Sequence, residues 1–176
     1  MTSLLKKSVI TAVAFLSLQA FAQAAPSDSD IVTSIKNQVA NNPATASTQV
    51  TITSQQGNVN LIGTVDTDQQ AEAVVEMAQS TPGVVDVLTS DFRVKESKQP
   101  FTDTVITAKV KGLFLRDKLF TQKDIAALSV KVETKNGVVH LSGQADSSAE
   151  LQNAIQLARS VKGVKKVVSH VKVSNQ

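Results

Sequence analysis

No cysteine occurs anywhere in the chain, and that single absence removes several chemistries together. Disulfides, thiolate metal sites, a cysteine nucleophile and the lipidated cysteine of a bacterial lipoprotein are all excluded by residue type. Tryptophan and tyrosine are also missing, and two of the six phenylalanines, Phe15 and Phe21, fall in the first 25 residues. A nucleic-acid surface interleaves aromatics with Lys and Arg, so nucleic acid is set aside as a partner. Nucleophile elbow, Walker loop, dinucleotide fingerprint and paired metal-ligand motif are absent as well, which argues against an enzyme and against a cofactor. Long apolar runs are lacking too. The longest, Ser8 to Leu18, falls short of the roughly 20 residues a bilayer span requires.

That short run has a different meaning. Lys6 and Lys7 precede it, and Ala22-Gln23-Ala24 follows with the small-x-small pattern of a signal peptidase site. Residues 1–24 are expected to be a signal peptide cleaved near Ala24, leaving a periplasmic chain with no transmembrane segment.

The remaining charge is unevenly placed. From Asp28 to Lys95 there are 8 acidic and 3 basic residues, and from Glu96 to the end 7 acidic and 13 basic. Two readings stand: the basic half meets an anionic partner, or the halves neutralise each other by docking.

An internal repeat organises the mature chain. Gly57, Gly63 and Gly83 recur 80 residues later as Gly137, Gly143 and Gly163, and Val50–Leu88 aligns without a gap on Val130–Val168 with 11 of 39 positions identical. Each unit reads as helix, strand, strand, helix, strand. Ile31, Ile35 and Val39 recur at helical spacing behind Asp28 and Asp30, as do Ile106, Val110 and Phe114 behind Thr102 and Asp103. Val50/Ile52 and Val130/Val132 alternate like half-buried strands, and Val59/Leu61 and Val139/Leu141 give the return strands. Asn136-Gly137 is a strong tight-turn signal and Gln56-Gly57 a weaker one. Thr67-x-x-Gln70 and Ser147-x-x-Glu150 are capping boxes. They predict helices over Asp68–Ser80 and Ser148–Ser160, each stopped by a left-handed glycine, Gly83 or Gly163. One extra residue near Thr89 to Asp91 predicts a bulge in the last strand of the first unit. The fold class is α+β: two tandem αββαβ units, each a small three-stranded mixed sheet covered by two helices. The first spans 27–95 and the second 101–174, with a linker over 96–100.

Candidate site residues gather in the first helix of the second unit and its loop, which is five residues longer than its counterpart. Phe101, Leu115, Leu119 and Phe120 have no large apolar counterparts in the first unit, and Lys109, Lys111, Arg116, Lys118 and Lys123 surround them. Apolar side chains among cations suit an anionic membrane surface. Packing between the units and a peptide-like partner are the alternatives. His140 and His170 are expected on one open sheet face as solvated polar residues, without the further ligand a metal needs. Asp66 and Asp146 match between repeats just before the capping boxes, a place for a turn or helix-start role.

Asn136-Gly137-Val138-Val139-x-Leu141-Ser142-Gly143, the helix ending in Ala158 and Gly163-Val164-x-x-Val167 resemble the BON domain family of bacterial envelope proteins. Gln56-Gly57-Asn58-Val59-x-Leu61-Ile62-Gly63 and Gly83-Val84-x-x-Val87 repeat the pattern. The resemblance covers nearly all of the mature chain. It implies an αββαβ fold, no catalytic activity, and glycines that shape turns rather than bind ligands. Some family members bind anionic phospholipid, and exported tandem members are associated with osmotic and envelope stress and with holding unfolded clients. The expected function is a non-catalytic periplasmic envelope-maintenance protein that contacts anionic phospholipid through its second unit. The alternative is a soluble holdase-type chaperone for envelope proteins.

Overall fold

The computed structural model describes residues 25–97, 101–121 and 129–174. The expected signal peptide, residues 98–100 of the expected linker, and Lys123 lie outside them. The first unit runs α1 (Asp28–Asn41), β1 (Gln49–Gln55), β2 (Asn58–Thr67), α2 (Asp68–Ser80) and β3 (Asp86–Glu96). The second repeats it as α3 (Phe101–Thr121), β4 (Ser129–Lys135), β5 (Val138–Ala145), α4 (Ser148–Ser160) and β6 (Lys166–Val173). In both sheets the middle strand pairs antiparallel with its hairpin partner and parallel with the strand that returns after the helix. The second helices begin and end at the residues the capping boxes predict.

Local chemistry explains those starts. Thr67 accepts from the Gln70 N–H, and the Gln70 side chain accepts from the N–H groups of Asp66 and Thr67. At α4 the return arm shifts by one residue: Ser147 accepts from the Glu150 N–H, and the Glu150 carboxylate takes the Asp146 N–H at 3.0 Å. The Asp66 side chain itself is not a cap. It forms an exposed ion pair with Lys95 at 2.7 Å, so the expected turn role belongs to its backbone.

Two further expectations are corrected. Gly83 and Gly163 do not stop the helices, because the caps Thr81 and Val161 are already extended. Each glycine instead takes a positive φ inside a four-residue turn closed by Val84 N–H to Thr81 O, or Val164 N–H to Val161 O. The extra length of the second unit also begins as helix: α3 has 21 residues where α1 has 14. The bulge is where the sequence predicts it, since Asn60 pairs with Leu88 but Ile62 pairs with Asp91.

Both hairpins turn on two residues of positive φ: Gln56 and Gly57, Asn136 and Gly137. That geometry matches the right-handed twist of the flanking strands. The carboxylates expected at the helix starts hold these turns. Asp28 accepts from the N–H groups of Gln56 and Gly57 at 2.8 and 2.9 Å and from the Ser54 hydroxyl, which together lower its pKa. Asp103 takes the Asn136 and Gly137 N–H groups at 2.7 and 2.8 Å. The first helix of each unit is thereby tied to its own hairpin.

Gln56 carries a side chain that the left-handed region disfavours, whereas asparagine tolerates it. Gln56→Asn is expected to raise the urea midpoint, by about 0.5 kcal/mol in stability, with an unchanged denaturant slope.

Candidate functional site

Helix α3 is buried on more than one side. Ile106, Val110, Leu113 and Phe114 face the core of its own unit, while Val105 and Ala108 join the core of the first unit with Phe101 packed against it. An ordinary surface helix shows one apolar stripe; α3 has two. Its second stripe lies on α2, which it approaches more closely than it approaches α4 of its own unit.

The close approach is made at Gly112, the one glycine without a repeat partner. A Cβ there would stand 2.7 Å from the Gln79 Cβ and 2.8 Å from the Glu76 carbonyl oxygen. On α2 the matching consequence is burial of polar residues. Gln79 and Ser80 are 3 % and 4 % exposed, while their repeat counterparts Arg159 and Ser160 are exposed.

Most of the expected contact residues are engaged in this seam. The Phe101 ring meets Phe92 with centroids 6.1 Å apart and planes tilted by 59°. Lys109, only 7 % exposed, places its ammonium 2.6 Å from the Asp86 carboxylate. Lys111 pairs with Glu72, and Arg116 donates to the Val84 carbonyl. Leu115 is 39 % exposed. The helix backbone continues through Lys118, Leu119 and Phe120, whose side chains lie outside the described residues, as does Lys123. Part of the charge asymmetry is thus neutralised inside the molecule, by basic α3 on acidic α2.

Electrostatics follow from the packing. Burial beneath α3 raises the Glu76 pKa, Lys111 opposes the shift and Glu72 adds to it. Desolvation lowers the Arg116 pKa. Losing Asp86 would leave the buried Lys109 ammonium uncompensated in low dielectric, a cost of up to about 3 kcal/mol; a part-exposed pair such as Lys111–Glu72 contributes about 1 kcal/mol or less.

A cleft of about 710 Å³ opens between α2, α3 and the β4–β5 hairpin. Glu72, Asp103, Lys111, Lys131, Glu133, Lys135 and His140 line it, and it holds two ion pairs: Lys111 with Glu72, and Lys131 with Glu133 at 2.7 Å. The hydrogen bond and charge of Lys131 lower the Glu133 pKa, which keeps it an ionised acceptor rather than a proton donor. His140 lies opposite Val168, and His170 opposite Ser142, so the two imidazoles occupy diagonal positions on one outward sheet face. Among the described residues no three His, Asp or Glu side chains are grouped to hold a metal.

With the geometry in place, a model of the BON domain family matches residues 27–96 and again 102–175. The chain belongs to the BON domain family. It is 33% identical over 150 residues to the osmotically-inducible protein Y of Escherichia coli (strain K12), covering 82% of this chain and 72% of that protein. An uncharacterized protein in the gshII 5′ region of Anaplasma centrale is 30% identical over 129 residues, covering 72% of this chain and 82% of its own. The 21 kDa hemolysin of Actinobacillus pleuropneumoniae is 32% identical over 123 residues, 68% of this chain and 60% of that protein. The C-terminal domain of CdsD, a structural protein of the type III secretion system of Chlamydia trachomatis, aligns over 85% of this chain and 68% of its own at 14% identity and a TM-score of 0.34.

Two features escaped the sequence. Gly112 carried a signal, as the glycine that the 80-residue offset leaves unmatched. Asp28 and Asp103 carried another, each three residues before the first core isoleucine of its unit. Gly112→Leu is expected to cost about 1–3 kcal/mol by overpacking and to split a single calorimetric transition into two. Glu76 supplies the pH test. Its folded pKa is raised, so its contribution is full below the unfolded value and lost as pH rises through the folded one. Glu76→Gln should raise the melting temperature at neutral pH, with the gain vanishing below the carboxylate range.

Proposed function

We propose that this BON protein is an exported, non-catalytic periplasmic protein of envelope maintenance that attaches weakly to anionic phospholipid surfaces through its second unit. One observation carries the reading. Docking of α3 on α2 engages Lys109, Lys111 and Arg116, yet Lys135, Lys162, Lys165, Lys166 and Lys172 stay exposed, with no ion pair among the described residues. Each Lys or Arg near an anionic bilayer contributes on the order of 1 kcal/mol. Leu115, with Leu119 and Phe120 after it in the chain, supplies the apolar part of the contact, and Lys118 and Lys123 add charge. Phe101, Lys109, Lys111 and Arg116 leave the contact set because the seam uses them. The name of the Escherichia coli relative supports a role under osmotic stress. No helix of the described residues is long and apolar enough to cross a membrane, which fits peripheral attachment.

A holdase reading has its own support. Ile155, Leu157, Val164, Val167 and Val171 are only half-buried in the second unit, which leaves apolar surface for an extended client.

Vesicle flotation separates the two. The full chain is expected to float with vesicles containing anionic lipid and to stay behind with zwitterionic ones, releasing as salt rises. Leu115→Glu should weaken flotation several-fold without changing the melting temperature. Equal flotation on both vesicles, with salt-insensitive suppression of client aggregation, would favour the holdase.

A further inference from the structure

Among the described residues, the seat that α3 occupies on the first unit has an uncovered counterpart on the second. On the first unit it is built from Glu72, Glu76 and Gln79 of α2 and from Val84 and Asp86 before and in β3. The 80-residue offset converts these to Gln152, Gln156, Arg159, Val164 and Lys166. No described segment covers them. Val84 and Val87 are 3 % and 1 % exposed, whereas Val164 and Val167 are only half-buried. A groove of about 290 Å³ remains there, lined by Arg159, Val164, Lys165, Lys166 and Val167.

Its charge is inverted. Where the first seat presents Glu72, Glu76 and Asp86 to a basic helix, the second presents Gln152, Gln156 and Lys166, with Arg159 in place of Gln79 and Lys165 in place of Val85. We propose that this groove docks an acidic amphipathic helix of a partner protein, seated on α4 and β6 as α3 is seated on α2 and β3. Such a helix carries Asp or Glu where α3 carries Lys109 and Lys111, keeps a donor where Arg116 meets the Val84 carbonyl, and has a small residue at the crossing where α3 carries Gly112. A second copy does not provide it. At the equivalent positions α1 offers Ser34, Lys36 and Asn41 and, at the crossing, Asn37; α3 is basic and already buried on both stripes. The groove shares Lys165 and Lys166 with the cationic surface of the proposed lipid contact, so peptide binding and vesicle binding are read separately.

The probe is a synthetic peptide of residues 101–121 carrying K109E and K111E, with Ile106, Val110 and Phe114 changed to Gln so that one apolar stripe remains. A second peptide keeps the native cations. Fluorescence anisotropy with the full chain is expected to show the acidic peptide binding more tightly than the basic one. Arg159→Glu/Lys166→Glu, both at exposed positions, should weaken the acidic peptide roughly tenfold and reverse the preference in favour of the basic one. Equal binding of the two peptides, or a preference unmoved by the double charge reversal, would overturn the proposal. So would a double variant that loses flotation on anionic vesicles yet binds the acidic peptide as before, because the groove would then be a lipid site. Loss of vesicle binding by Leu115→Glu alone bears only on the lipid reading.

Discussion

The two units are held together by a helix crossing that works only because Gly112 has no side chain. Removing a Cβ lets the α3 backbone come down onto Gln79 and the Glu76 carbonyl, and everything else at the seam depends on that proximity. Lys109 reaches Asp86 and Lys111 reaches Glu72 because the helices are close enough for short, partly desolvated pairs to form. Val105 and Ala108 become core residues of a unit to which, by sequence, they do not belong. A bulkier residue at this crossing would push the charges apart into water, where such pairs contribute little. Units of this size sit near the lower limit for one independent core. The crossing gives the first unit a third helix and so a larger core than its own 70 residues could build.

Much of the fold was legible because it is written twice. Glycines at one offset, paired capping boxes and matching i, i+3, i+4 patterns fixed element types and the boundaries of α2 and α4. Legibility ended where a residue acts across elements. Lys109 and Arg116 look like surface cations by type, and nothing local distinguishes a lysine bound for water from one bound for burial against a partly exposed aspartate. Gly83 and Gly163 were read as helix stops from position alone, but Thr81 and Val161 leave the helix first and the glycines serve the next turn. Asp28 and Asp103 fitted a helix start so well that their true partners, two backbone N–H groups about 30 residues away in sequence, stayed hidden.

Repetition also makes the differences between units informative. Equivalent positions share one fold, so a difference in charge or burial reflects what each surface meets. Along α2 the surface turned acidic and polar side chains went under cover; along α4 the same positions turned neutral or basic and stayed in water. The asymmetry seen first as a composition split between halves resolves into two parts. One is complementary pairing within the chain, and the other is an excess of cations on the second unit.

Because α3 belongs to both cores, synthesis has a direction built into it. A ribosome delivers β3 before α3, so the nascent first unit can pair its strands while Phe92 and the outer side of α2 still await their cover. Closure of that unit comes with residues 101 to 116, which are also the founding helix of the next one. The helix that closes the first core is the one on which the second is built, so the two units share a single structural element rather than standing as beads on a string.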